Sequence, residues 1–370
     1  MPKDVYLFVG TYTEAIKFGT GQILQGKGEG IYLYKLDLLD GRLTFVAKTP
    51  GVVNPSYLTL APSGKYLYAV NELKEFNGKA SGAVSAFAVE SGTGRLNFIN
   101  QLPTGGTDPC HVAVNDRESH VFVTNFMSGS VCIFPILENG ALDRPSQFIQ
   151  HTGSSVNKTR QAGPHAHSLV FDRLNQYAFV PDLGLDKLLI YKTDFIHGQL
   201  EPSPATAFNT EPGSGPRHCA FHPNGQYCYL VNELNATISV LRFDQLKGCF
   251  TMMQSVPMVL VNYEGENTGA DIQVHPDGEY VYGSNRGHNS IVIYKVAKNT
   301  GLLSAVGMES SCGETPRNFA IDPTGEFLLV ANQDTDNVVV FKIDNRTGKL
   351  AKISEVKIPT PVCVKPYLMN

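Results

Sequence analysis

Charge is scarce in this chain. Only 17% of its 370 residues are Asp, Glu, Lys or Arg, and they balance to a net charge of −4. No basic surplus exists to neutralise a phosphate backbone, so no nucleic acid is expected as a partner. Long apolar runs are missing too: none approaches the ~18–20 residues of a helical membrane span, and no membrane is expected. Cysteine is sparse, with seven residues, an odd number, and no CxxC pair. Cys132, Cys219 and Cys228 fall inside strand-like segments, which predicts buried reduced thiols rather than a disulfide framework. The opening residues MPKDVYLFVGTYT lack the basic start, apolar middle and small-residue cleavage site of a secretion signal, so the expected compartment is cytoplasmic. Tryptophan is absent altogether.

Turn formers, in contrast, are abundant. The 35 glycines and 22 prolines accompany a 42% apolar content, the composition of many short strands joined by tight turns. The segments PSYLTLAPSGKYLYAVNE (from Pro55), PCHVAVNDRESHVFVTNF (Pro109), PHAHSLVFDRLNQYAFVPDL (Pro164), PRHCAFHPNGQYCYLVNE (Pro216), GADIQVHPDGEYVYGSNR (Gly269) and PRNFAIDPTGEFLLVANQ (Pro316) repeat one pattern. Each is an alternating strand, a turn often spelled Pro-x-Gly, a second alternating strand and a polar end. A third strand follows most copies, such as ATISVLRF or DNVVVFKI, and then a weaker fourth. Copies start about 47 to 55 residues apart, the length of a four-stranded propeller blade.

Six copies are complete and a seventh is split. DVYLFVGTYT reads as a second strand, followed by GEGIYLYKLD and GRLTFVAKTP, and its missing first strand is PVCVKPY near the C-terminus. The expected fold is therefore all-β: one seven-bladed β-propeller domain over residues 1–370, with four-stranded antiparallel blades. Pairing of the N- and C-terminal strands would close the ring and remove two sheet edges. Two stacked β-sandwiches are the alternative, and the uniform spacing argues against them. A closed ring has no obligatory partner surface, which predicts a monomer or weak homo-oligomer.

The turn glycines Gly64, Gly225, Gly278 and Gly325 allow each hairpin to be counted outward. Counting eight residues each way places Arg217 opposite Glu233, Ser56 opposite Glu72, Ala270 opposite Arg286 and Arg317 opposite Gln333. All lie at the open ends of inner hairpins, which in a propeller gather around one mouth of the central channel. His111, His165, His167, His218, His288 and Asp182 belong to the same ends, whereas the opposite ends carry ordinary turn residues. Each member has a plain structural reading, as a strand-end histidine or an exposed cross-strand salt bridge. The functional expectation rests on imidazoles, guanidiniums and a carboxylate occurring together.

Several longer runs carry a family resemblance: VGTYT (9–13), GPHAHSLVFD (163–172), VPDLGLDKLLIYK (180–192), GPRHCAFHPNG (215–225), LVNELNATISVL (230–241), SNRGHNSIVIYKV (284–296) and PRNFAIDPTGEFLLVANQDTDNVVVFKI (316–343). The chain resembles, from Val5 to about Lys365, the seven-bladed lactonase family, which includes bacterial propeller-type 6-phosphogluconolactonase and fungal carboxy-muconate lactonizing enzyme. The resemblance implies a lactonase, most readily one hydrolysing 6-phosphogluconolactone, with a lactonizing enzyme of aromatic catabolism as the variant. It also implies a site of one histidine, two arginines and one glutamate. By motif these are Arg217, Glu233, a PHAH histidine that is either His165 or His167, and Arg286, with Arg317 behind it. At Asp271 the chain departs from the relatives' more usual glutamate. The segment 14–28 reads as an insertion with no assigned role.

Opening a lactone needs an activated water and donors for the developing oxyanion. Glu233 or a PHAH histidine would activate the water. Arg217 and Arg286, with His218, His288 and Arg317 nearby, would hold a small anionic lactone. His165-Ala166-His167 has a spacing zinc can use, with His218 and Glu233 as further ligands. Arginines beside a cation would repel it, so neither metal nor cofactor is expected. The rival class is a non-catalytic propeller binding platform. Scaffolds of the Trp-Asp type carry that recurring pair, which this chain cannot have.

Overall fold

The computed structural model describes residues 5–260 and 262–369, and among them every regular element is a strand. Seven four-stranded antiparallel sheets form, the blades of a seven-bladed β-propeller. A small extra hairpin, Ile16–Lys17 with Ile23–Leu24, accounts for most of the insertion, and Phe18 at its turn makes an edge contact with Tyr12 at 5.9 Å.

The chain groups into two compact units. One takes in the chain up to Val9, residues 32–47 and everything from Pro216 onward. It holds the blade of strands Pro216–Phe221, Tyr227–Asn232, Thr237–Asp244 and Cys249–Pro257, then the blades that begin with Thr268–Val274 and Pro316–Ile321. Its remaining sheet runs in the order Pro361–Leu368, Val5–Thr11, Gly30–Leu36, Leu43–Pro50, so the C-terminal strand does lie beside the N-terminal one. The other unit holds the blades that begin with Leu58–Leu60, Pro109–Val114 and Val170–Phe171.

Strand alternation explains the packing within each unit. In the first, Tyr229, Val231, Ile238 and Val240 of one blade bury against Ile272, Val281, Val292 and Tyr294 of the next. The other face of that second blade, Tyr282, Ile291 and Ile293, packs on Phe319, Leu328, Val330 and Val339. The two central strands of that second blade, Tyr280–Arg286 and Ser290–Val296, thus serve two cores, which is why they are apolar on both faces. Tyrosines fasten neighbouring blades: Tyr229 donates to the Gly301 carbonyl (3.0 Å) and Tyr282 to that of Gly348 (2.9 Å). A side chain at Gly301 would lie 2.4 Å from the Tyr227 ring, and its φ of 68° already favours glycine.

The inner hairpins differ from simple counting. Strand pairing joins Pro216 with Asn232 and His218 with Val231, so Arg217 is the extra residue of a β-bulge. The same shift occurs between Pro109 and His111, between Gly269 and Ile272, and between Pro316 and Asn318. Arg217 therefore does not stand directly opposite Glu233, nor Arg317 opposite Gln333, and Arg286 pairs with Thr268 rather than Ala270. Three of the four bulges begin at a proline, which has no N–H to continue the ladder. A bulge re-aims the side chain it carries, and here it carries the residues of interest.

Candidate active site

In the Pro216 blade the bulge turns Arg217 inward until it is 2% exposed. Its Nε lies 3.1 Å from Glu233 Oε2, and its Nη1 donates to the Ala270 carbonyl of the next blade. Arg286 reaches the same carboxylate oxygen: Nη2 is 2.9 Å from Glu233 Oε2 and 3.0 Å from the Gly269 carbonyl. One carboxylate thus bridges two guanidiniums from adjacent blades. Burial, then the like charges of Arg286 and Arg317, push the Arg217 guanidinium below its ordinary range, while Glu233 and Asp271 pull it back. It remains charged at neutral pH. Arg317, half-buried, occupies the bulge one hundred residues on, in the Pro316 blade.

A second layer consists of the residues that follow each bulge arginine. His218 Nδ1–H donates to Asp271 Oδ1 at 3.0 Å, Asn318 Nδ2 donates to Asp271 Oδ2 at 2.6 Å, and Val364 N–H donates to Asn318 Oδ1 at 2.7 Å. This chain of bonds links the Pro216, Thr268 and Pro316 blades to the C-terminal strand. Burial, assisted by Arg217, pushes His218 down to about 4, so its imidazole is neutral at physiological pH. Burial alone would raise Asp271, but the bond from His218 and the charge of Lys365 hold it below the usual carboxylate range. The unit thus gathers four cations, Arg217, Arg286, Arg317 and Lys365, around two carboxylates. That surplus is suited to an anion.

The other expected residues have different surroundings. His288 sits past the end of its strand, with Nδ1 2.8 Å from Ser290 Oγ and its ring edge-on to Tyr263. In the second unit His165 stacks on Phe126 (4.6 Å, 16°), and its Nδ1–H donates to the Phe126 carbonyl at 2.9 Å. His167 is buried, with Nδ1 3.7 Å from Cys110 Sγ. In that blade Ala166 bridges Asp182 just as Pro216 pairs with Asn232, so His167, not His165, occupies the bulge position that Arg217 holds in its own blade. His111 lies against Tyr57, ring centroids 4.2 Å apart. Asp182 accepts from His151 Nδ1 at 2.7 Å, a buried pair whose imidazole also receives the Tyr191 hydroxyl. His111 Nδ1 also accepts from the Leu169 N–H at 3.4 Å, so His111 and Asp182 are both committed to contacts between neighbouring blades of this unit. No cluster of three metal-ligating side chains occurs among the described residues.

Residues 6–366 match the family described as lactonase, 7-bladed beta-propeller. The chain belongs to this lactonase family. Among its relatives, the 6-phosphogluconolactonase of Bacillus subtilis is 36% identical over 97% of each chain. The 6-phosphogluconolactonase of Formosa agariphila is 36% identical over 85% of this chain and 86% of its own. Of solved structures, the periplasmic gluconolactonase PpgL of Pseudomonas aeruginosa superposes with a TM-score of 0.90 at 30% identity, covering 99% of this chain and 100% of that one.

For a lactonase, sequence reasoning passed over three residues in the unit that holds Arg217. Asn318 stands in PRN where His218 stands in PRH, a correspondence legible in the repeat. Asp271 stands out in the sequence only as a departure from relatives. Lys365, in the closing strand, carried no signal beyond its place in PVCVKPY.

Proposed function

We propose that the chain hydrolyses 6-phosphogluconolactone to 6-phosphogluconate, acting in the cytoplasm on a substrate that is already an anion. The observation that carries this reading is the surplus of guanidinium and ammonium groups around Glu233 and Asp271. The names of the relatives support it, and so does the absence of disulfides among the described residues, which fits a reducing compartment. In the reaction, water attacks the lactone carbonyl, the ring C–O bond breaks, and the proton from water ends on the ring oxygen. Arg217, held in place by Glu233 and the Ala270 carbonyl, offers a buried positive charge where the oxyanion develops, a position in which a fixed donor has most effect. Arg286 and Arg317 hold the phosphate, for which a planar guanidinium is well shaped. Glu233 keeps both guanidiniums in register and orients the water.

The test follows loss of freshly made 6-phosphogluconolactone above its spontaneous rate, with unphosphorylated gluconolactone alongside. Arg217→Ala is expected to lower kcat/KM about tenfold to a hundredfold. Unchanged hydrolysis in that variant removes the assignment. Equal rates on both lactones remove the phosphate-holding role of Arg286 and Arg317.

A further inference from the structure

The Pro216 and Pro316 blades are copies in register. Arg217 corresponds to Arg317, His218 to Asn318, and Glu233 to Gln333, each one hundred residues on and each pair flanking the same bulge. Where the first blade places a carboxylate, the second places an amide. Gln333 is 4% exposed, and its backbone N–H donates to the Thr315 carbonyl at 3.0 Å. Its Nε2 donates to Asp334 Oδ1 at 2.8 Å, and Asp334 is held in turn by the Thr315 hydroxyl. A carboxylate only accepts, so this bond fixes the amide: nitrogen toward Asp334, oxygen away from it. That oxygen, Gln333 Oε1, is buried and has no hydrogen-bond partner among the described residues.

An amide oxygen without a donor costs free energy, so a fold that keeps one needs a reason. Three asparagines with similar orphan oxygens, Asn125, Asn232 and Asn332, end equivalent strands in three blades, and their nitrogens tie down the next strand or a linker. They belong to the repeat. Gln333 does not: its counterparts in the same unit are Glu233 and Arg286, the residues of the candidate site. In the same hairpin Asn318, which pairs with Ala331, is joined through Asp271 to His218, the residue after Arg217.

We propose that Gln333 Oε1, oriented by Asp334, accepts a hydrogen bond from a hydroxyl of the substrate, making the Pro316 blade the subsite that reads a polyol chain. This rests on the lactone reading above and deepens it. Arginines cannot tell a phosphosugar acid from another anion of similar size, whereas a fixed acceptor favours the one that carries hydroxyls.

Calorimetric titration of the full chain with two acids tests this: 6-phosphogluconate, the expected product, and 6-phosphonooxyhexanoate, which has the same end groups and no hydroxyls. Wild type is expected to bind the first about tenfold more tightly or better. Gln333→Met should lose about tenfold on 6-phosphogluconate and less than about twofold on the hexanoate, with an unchanged or higher Tm because an unsatisfied oxygen is removed. Asp334→Ala, which removes the acceptor that holds the amide without deleting the amide, should give an intermediate loss on 6-phosphogluconate alone, and it carries the test if Gln333→Met fails to fold. Equal losses on both acids, no loss, or no binding of either acid by wild type overturns the proposal. Lactone hydrolysis measured in parallel separates the readings. Hydrolysis without hydroxyl discrimination sinks only Gln333, and discrimination without hydrolysis sinks only the lactonase assignment.

Discussion

Replacing Glu233 by glutamine removes one negative charge and keeps the shape of the side chain. In the native site Oε2 is ion-paired with Arg217 Nε at 3.1 Å and with Arg286 Nη2 at 2.9 Å, with the first pair almost wholly buried. The amide oxygen of glutamine can accept from both, but it no longer cancels charge, and its NH2 group adds donors beside donors. The other carboxylate that acts on Arg217, Asp271, is engaged by His218 and Asn318. Removing one partner of a buried ion pair costs about 3–5 kcal/mol, because the surviving charge stays buried and unpaired. Glu233→Gln is therefore expected to lose about that much in a urea titration, and a double change of Arg217 and Glu233 to Met should lose less. Phosphate supplies a test of cause. An anion that binds only the folded state stabilises it by RT ln(1 + [L]/Kd), about 2.7 kcal/mol at one hundred times Kd. Phosphate should rescue Glu233→Gln more than wild type, while sodium chloride at matched ionic strength should not. A variant within about 1 kcal/mol of wild type, with the same response to phosphate, would refute the idea that Glu233 acts as a built-in counter-ion between the arginines.

The remaining expectations are briefer. Arg217→Lys keeps the charge but not the fork that meets both Glu233 and the Ala270 carbonyl, so its kcat/KM should fall nearly as far as that of Arg217→Ala, measured in the same lactone assay. If a PHAH histidine rather than Glu233 activates the water, His167→Ala should lower kcat and His165→Ala should chiefly lower Tm, since the His165 ring is committed to Phe126. Gly301→Ala should destabilise by about 1–3 kcal/mol in a urea titration, since its Cβ would strike Tyr227 from a left-handed backbone.

The repeat was legible because alternation, Pro-x-Gly turns and even spacing are local properties of strands and hairpins. The split blade was legible for the same reason: an orphan second strand at one end and an orphan first strand at the other. The bulges were not. Nothing in PRHCAF distinguishes a bulged strand from a straight one, although the proline at its head was the available clue. Counting across a straight ladder therefore found the right neighbourhood for Arg217 and Glu233 but the wrong geometry. The same slip hid the standing of the PHAH histidines, because aligning prolines puts His165 at the Arg217 position, and counting from the turn puts His167 there. The belt of His218, Asp271, Asn318 and the closing strand was invisible for another reason. It depends on which blades are neighbours and on a histidine whose burial keeps it neutral.

That neutral histidine has a consequence for stability in acid. The His218 imidazole is pushed down to about 4 by burial and by Arg217, against an ordinary value near ~6.5. Between those values the unfolded chain binds a proton that the folded chain refuses, so stability falls as pH falls through that window. The full difference is about 3 kcal/mol for this one group. Asp271 adds to the loss at lower pH, because its folded value is depressed and its contribution disappears once it is protonated. Asp108, in the other unit, works in the opposite sense. Burial and the charge of Glu72 raise it to about 6, so the folded chain takes up its proton first and gains stability as pH falls from about 6 toward 4. The two effects partly cancel in wild type, and each is exposed by removing the other. His218→Asn, which keeps a donor for Asp271 and cannot titrate, should flatten or reverse the loss of stability between pH 6.5 and 4, whereas Asp108→Asn should steepen it. Urea titrations across that range decide the matter. Parallel pH profiles for wild type and His218→Asn would mean that the imidazole is protonated in the folded chain, and the belt would then be an ion pair between His218 and Asp271 rather than a neutral hydrogen-bonded chain.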